Sequence, residues 1–287
     1  MDRTASGLIN GLLGVLIFSG SLPATRVAVL QFDPVFLTVA RAAIAGLLGM
    51  CLLFAFKEKR PTRDDAIPLA IVAVGVVVGF PLLTALALRH VTSAHSIVFV
   101  GLLPLATAIF GVLRGSERPR PAFWLFSGLG SALVAGFALT HGLSASPAGN
   151  ALMFAAIIVC GFGYAEGAIL SRKLGGWQVI SWALVLSLPV MLPLALILMP
   201  PSVAEIGRPA WFGLAYVSVF SMLIGFVFWY RGLAQGGIAS VGQLQLLQPF
   251  FGLALAATLL KEPVSGIMLA VTVAVILCVI GARQFAR

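Results

Sequence analysis

Polar residues divide this chain into apolar stretches of about 20 residues, and that segmentation narrows what it can fold into. A hydrocarbon layer ~30 Å thick is crossed by ~20 residues of α-helix, in which every backbone N–H and C=O is satisfied within the segment. Ten stretches have the required length: 6–28, 34–55, 66–88, 93–114, 121–141, 149–171, 177–199, 210–231, 238–260 and 265–283. The separators are short and polar or contain Gly and Pro, as in KEKRPTRDD, RGSERPRP, HGLSASPAGN and MPPSVAEIGRP. Only 9% of the 287 residues are charged and 60% are hydrophobic, whereas a soluble domain carries about a quarter charged residues. The expected fold class is therefore an all-α polytopic membrane protein with ten transmembrane helices. No charge-flanked apolar leader with a small-residue cleavage site opens the chain, so a removable signal peptide is not expected.

The net charge of +9 raises the question of nucleic acid, and the placement of the charges answers it. One alternate set of loops holds 13 of the 18 Lys and Arg residues, the opposite set holds 4, and Arg41 lies inside a stretch. Basic residues gather on the cytoplasmic side of a membrane. The bias predicts both termini in the cytoplasm and a multi-pass protein of the inner (plasma) membrane, with the lipid bilayer as partner and no nucleic acid. Cys51, Cys160 and Cys278 stand singly in apolar runs, which points to reduced filler residues rather than a disulfide or a metal site. No GxxxxGK[ST] loop occurs, the loops hold no catalytic grouping of His, Asp and Ser, and neither a cofactor nor enzymatic chemistry is expected.

A shift of 145 residues lays the chain on itself: Ala94 falls on Ala239, Pro104 on Pro249, Glu117 on Glu262 and Gly136 on Gly281. The unit, 1–145 followed by 146–287, holds five spans. Five is odd, so the second copy enters the membrane from the other side, which is the inverted repeat common among secondary transporters. The runs ALRHVTSAHSIVFVGLLPLATAIFGVLRGSERPRP and YRGLAQGGIASVGQLQLLQPFFGLALAATLLKEP, together with VARAAIAG around Arg41, resemble the EamA type of the drug/metabolite transporter superfamily. The resemblance implies a ten-helix carrier of small metabolites working by alternating access, with spans 1, 3, 4, 6, 8 and 9 around a central cavity. Within the superfamily the chain is similar to YddG-like amino-acid exporters, which makes amino acids the expected substrate and export the expected direction. Another small metabolite or an amphipathic cation is the alternative. A channel is disfavoured because one inverted repeat supplies no ring of equivalent groups.

Polar residues inside the spans are the candidate substrate contacts. Gln245 and Gln248 are three residues apart and share a helical face, and Pro249 cannot donate to the Gln245 carbonyl; Gln243 points elsewhere and is read as structural. Glu166, between Gly163 and Gly167, is placed to receive a substrate ammonium or to carry a coupling proton, or else to pair with a basic residue at the cytoplasmic mouth. Tyr164 offers an aromatic wall and Ser19, near Ser21, a hydroxyl. Arg41 is expected to tie span 2 to backbone carbonyls, with a direct bond to a substrate carboxylate as the second reading. Pro81, Pro104 and Pro249 are the expected hinges or gates. Trp177, Trp211, Trp229 and Tyr230 read as interfacial anchors. His90, His95 and His141 fall together on the predicted outer face.

Overall fold

The computed structural model describes residues 3–114, 118–141, 146–202, 204–261 and 263–285; Glu117 and Glu262 of the repeat comparison, and the side chain of His141, lie outside what it describes. All regular structure among the described residues is helical. In chain order the helices are α1 (Arg3–Ser19), α2 (Ser21–Val29), α3 (Pro34–Ala55), α4 (Ala66–Val72), α5 (Phe80–Ala87), α6 (Ser93–Val100), α7 (Leu103–Arg114), α8 (Pro121–His141), α9 (Pro147–Leu174), α10 (Gly176–Ile197), α11 (Arg208–Ala215), α12 (Gly225–Gly236), α13 (Ile238–Gly242), α14 (Leu247–Leu259) and α15 (Gly266–Gln284). Some follow one another along a single axis. Among the described residues, seven helical runs are long and apolar enough to cross a membrane: Ala5–Val29, Pro34–Ala55, Arg63–Ala87, Pro147–Leu174, Gly176–Ile197, Arg208–Gly236 and Ile238–Leu259. Leu103–Arg114, Pro121–Leu133 and Gly266–Ala282 are shorter apolar helices.

Local chemistry sets the ends. Asp33 caps α3, its carboxylate accepting from the N–H groups of Val35 and Phe36 at 2.8 and 3.2 Å, with Pro34 in the first turn where no N–H is needed. Ser146 and Pro147 start α9 in the same way. Gly175 and Gly237, at φ 100° and 92°, make the tight turns from α9 to α10 and from α12 to α13, a backbone region that side chains disfavour.

In lipid, helices gain little by hiding apolar surface from one another, so close packing of small residues holds the bundle together. A β-carbon on Gly7 of α1 would lie 2.7 Å from the Gly236 nitrogen of α12, and one on Gly232 would lie 2.6 Å from the Gly11 nitrogen. Gly75 meets α9 as closely, since its β-carbon would stand 2.7 Å from the Val159 oxygen and 3.0 Å from the Gly163 Cα. The two glycines beside Glu166 have this role and do not leave open space. Gly163 admits Gly75, and the Tyr230 ring fills the place beside Gly167, where a β-carbon would lie 2.2 Å from it. Trp229 and Tyr230 are fully buried, so they are core residues rather than interfacial anchors. Trp211 packs on Phe32 and Trp177 on Phe56 nearer the helix ends.

The remaining pairings are α3 with α10, α8 with α15, α6 with α14, and α9 with both α5 and α7. Polar contacts gather at the two ends of the bundle. At one end Lys173 bonds Asp65 at 2.6 Å, Gln178 bonds Glu58 at 3.1 Å, and Arg114 bonds Glu166. At the other, Arg89 faces Asp33 at 3.9 Å, Arg26 donates to the Leu88 carbonyl, and His95 meets Asn150 at 2.9 Å.

Candidate functional site

Several helices lose regularity at mid-length, each for a residue-level reason. α1 and α2 part at Gly20, and Pro23, which has no N–H to donate back across the break, is the third residue of α2. A π-helical turn over Ala73–Gly79 ends at Phe80, next to Pro81. A second π-helical turn covers Tyr216–Ile224 between α11 and α12. A turn at Gly101 and Leu102 separates α6 from α7, whose second residue is Pro104. Before Pro249 the chain tightens into a 3-10 turn, Gln243–Leu246. There the Leu247 N–H turns toward the Leu244 and Gln245 carbonyls, so the proline does not leave the Gln245 carbonyl bare. Such π and 3-10 insertions recur at functional sites because they redirect side chains without ending the helix.

These irregular turns surround one cavity. Its wall takes Phe18, Ser21 and Leu22 from the α1–α2 junction, Arg41 from α3, and Val76, Phe80 and Pro81 from the first π turn and α5. Leu103 comes from α7, Tyr164 from α9, Ser221 and Phe226 from the second π turn and α12, and Gln248 from α14. The space open to water centres is about 20 Å³, enough for about one water. Six of the seven contributing segments are those implied by the family resemblance, and Arg41 adds span 2.

Arg41 is buried and has no acidic partner among the described residues. One terminal N–H donates to the Ser221 hydroxyl at 3.3 Å, and the buried Nε has no partner. Ser221 and Ser21 share a 2.7 Å hydrogen bond across the cavity. Contrary to the sequence expectation, the guanidinium ties α3 to no backbone carbonyl among the described residues. A cation at the centre of a membrane helix costs about 2.5–3.5 kcal/mol on insertion scales, and its retention marks it as a functional candidate.

The glutamines separate by depth. Gln248 lines the cavity; its amide nitrogen reaches the Phe18 carbonyl at 3.4 Å and its oxygen has no partner. Gln245 is fully buried off the wall; its amide lies close to the Tyr164 hydroxyl but makes no well-formed hydrogen bond among the described residues. The Gln243 oxygen is likewise unpartnered. Each such buried group forgoes about 1–3 kcal/mol, a cost tolerated where a moving part or a ligand supplies the partner at another stage.

Tyr164 stands edge-on to Phe226, with ring centroids 5.8 Å apart, and Phe226 in turn meets Phe18 at 5.0 Å. These rings give the cavity wall an aromatic part beside its polar groups. Glu166, 3% exposed, is held by Arg114, whose side chain is half-exposed. Its carboxylate is therefore occupied toward one end of the bundle and does not line the cavity. Ser19 spends its hydroxyl on the Val15 carbonyl of its own helix at 2.7 Å; Ser21, two residues on, is the serine in the wall. Pro81 is in the wall, Pro104 sits next to the lining residue Leu103, and Pro249 falls in α14 with its side chain outside the described set. Of the expected site residues, the structure thus brings Tyr164, Gln248 and Pro81 together at the cavity. Ser221 is a polar lining group that the sequence alone did not single out, and Arg41 is one whose expected role was first a structural tie and only second a substrate contact. The signal for Arg41 was present, since it is the one basic residue well inside an apolar run.

An all-helical bundle of membrane-crossing lengths, with helices interrupted around a small internal polar cavity, is the architecture of a multi-pass membrane transporter. The chain belongs to the EamA-like transporter family, which residues 5–139 and again 147–283 match. It is 69% identical, over the full length of both chains, to the uncharacterized transporter YdeK of Bacillus subtilis (strain 168). An uncharacterized transporter of Archaeoglobus fulgidus is 24% identical over 258 residues, covering 87% of this chain and 88% of the relative. A solved crystal structure shares the fold with a TM-score of 0.73 over 99% of both chains at 20% identity. These findings point to transport of small molecules across a bilayer rather than to an enzyme.

Proposed function

We propose that the chain is a secondary transporter of amino acids, working outward across the inner membrane by alternating access, with ten spans arranged as two inverted five-helix repeats and both termini in the cytoplasm. The observation that carries the reading is the makeup of the cavity wall. Val76 and Ser221, Pro81 and Phe226, and Leu103 and Gln248 are three pairs, each 145 residues apart, and all six residues line the one cavity. The interruptions obey the same shift, with paired π turns at 73–79 and 216–224 and paired breaks before Pro104 and Pro249. Helix packing supports it too, since α3 with α10 and α8 with α15 are contacts of corresponding elements, and α1 with α12 answers to α9 with α5.

Two halves of like architecture around a shared site give two exchangeable packings, in which rocking opens the cavity first to one face and then to the other. A cavity with room for about one water admits no metabolite until the halves part. Glu166 and Arg114 then act as a latch on the cytoplasmic side, and release of the latch frees the carboxylate for a substrate ammonium or a coupling proton. Tyr164, Gln248 and, behind it, Gln245 form the substrate contacts, and Ser19 stiffens the helix beside them. Pro81, Pro104 and Pro249 serve as the hinge positions. The pairs are chemically unequal. The first half supplies Val76 and Leu103 where the second supplies Ser221 and Gln248, so substrate polarity is read mainly by the second half and by Arg41.

The test is counterflow in liposomes holding the purified protein, with labelled amino acids, nucleosides, sugars and quaternary amines compared with and without a pH gradient. Amino acids exchanging well above empty liposomes is the expected result. Selective movement of quaternary amines would transfer the reading to an amphipathic-cation exporter, and a response to the pH gradient would identify the proton as coupling ion.

A further inference from the structure

The most unusual group in the interior is Arg41. A guanidinium carries five N–H donors in a rigid fork, and among the described residues one bond is made, to a neutral serine, while Nε is buried and unpartnered. Buried charges are ordinarily paired, and the described residues supply no acid. The carboxylate nearest in role, Glu166, is taken by Arg114 and lies off the wall. Beside the fork stand two hydroxyls, Ser21 and Ser221, which bond each other at 2.7 Å and can each rotate to donate to an oxygen placed alongside them.

We propose that Arg41, with Ser21 and Ser221, is the receptor for the carboxylate of the transported substrate, so that the substrate class is small organic monocarboxylates, amino acids included, and not amines or cations. The inference rests on the transporter reading and makes it more specific. Three features choose a monocarboxylate among anions. The wall holds one cation, which balances one negative charge and leaves a dianion such as phosphate uncompensated. The planar fork matches a carboxylate with two parallel hydrogen bonds. The aromatic part of the wall, Phe18, Tyr164 and Phe226, suits the organic body of the molecule and is wasted on a halide. The unpartnered oxygen of Gln248 is an acceptor for an amino group, which admits zwitterions without requiring them.

One end of the bundle carries charge of the same sign. At the His90 end of the bundle a depression of about 290 Å³ is lined by Arg26, Arg89, His90 and His95. Asp33 faces Arg89 at 3.9 Å, and Arg26 meets a neutral acceptor, the Leu88 carbonyl. Cationic arginines at that end favour anions over cations in their neighbourhood.

The test compares leucine, serine and phenylalanine, each with its carboxamide, with the amine left when the carboxyl group is removed, and with the acid left when the amino group is removed. Binding is read as the rise in melting temperature of the purified protein, and transport as counterflow in liposomes. Wild-type protein is expected to prefer acids to amides and amines by about tenfold or more, the loss that follows removal of a charge-assisted pair. Arg41→Gln should erase the preference, Arg41→Lys should keep part of it, and Ser221→Ala should keep it at weaker affinity. Should Arg41→Gln fail to fold, the wild-type acid-to-amide comparison and Arg41→Lys decide. The proposal is overturned if amides or amines serve as well as acids, if Arg41→Gln keeps the discrimination, or if no acid in the set raises the wild-type melting temperature. Acids that bind without being carried would remove the transport reading and leave the anion site standing. Equal transport of acids and amides would do the reverse.

Discussion

Replacing Arg41 by methionine separates a functional cation from a structural one, because the two roles predict opposite signs of stability change. The charged form costs about 2.5–3.5 kcal/mol to hold at mid-helix. Its offset is one charge-assisted hydrogen bond to Ser221, worth about 1.5–3 kcal/mol. Ser221 is not orphaned by the change, since it keeps its 2.7 Å bond to Ser21, and methionine fills most of the vacated volume with a flexible apolar chain. The balance runs from about no change to about 2 kcal/mol of stabilisation, a rise of up to several degrees in melting temperature for a chain of this size. Transport should be lost at the same time, the usual exchange of activity for stability at a site built around an uncompensated group. The assay is thermal unfolding in detergent alongside counterflow in liposomes. A fall of about 3 kcal/mol or more, the cost of breaking a buried pair, would show that Arg41 holds the bundle together and would refute the reasoning.

Other residues yield predictions on separate measurements. Gln248→Leu should abolish counterflow and Gln245→Leu should weaken it strongly, while Gln243→Leu is milder; wild-type behaviour of all three would move the site elsewhere. Glu166→Gln should leave exchange intact but remove its response to a pH gradient if the carboxylate carries the coupling proton, and should lower amino-acid affinity with or without a gradient if it binds the ammonium. Gly75→Ala should be less stable than Gly128→Ala by about 1–3 kcal/mol, the cost of overpacking, because a β-carbon meets the Val159 oxygen at 2.7 Å in the first case and open space in the second; equal melting temperatures would contradict the close approach. Cysteines placed at Ser146 and Lys59 should react with impermeant reagent from opposite sides, Ser146 from outside, and labelling from one side alone would rule out the inverted arrangement.

What the linear sequence determines here is where helices run. The stretch expected at 34–55 is the helix Pro34–Ala55, and 177–199 corresponds to Gly176–Ile197, because membrane thickness sets the length and Pro, Gly and capping residues set the ends. The presence of polar groups at mid-length is equally legible, since amides, a carboxylate and a guanidinium are conspicuous among aliphatic residues. The direction each helix faces is not. In water an apolar stripe marks the buried side, but lipid and protein interior are both apolar, so a helix such as α3 carries almost no directional signal. Only the packed bundle decides that Arg41 looks into the cavity, that Ser21 lines it while Ser19 bonds its own helix, and that Gln248 stands in front of Gln245. The same blindness made Trp229 and Tyr230 look like interfacial anchors, when close glycine packing draws both into the core. The π turns have no local signature either. They arise where two interrupted helices must turn their side chains toward one shared space, and that requirement exists only once the tertiary structure brings residues 76 and 221 into the wall of one cavity.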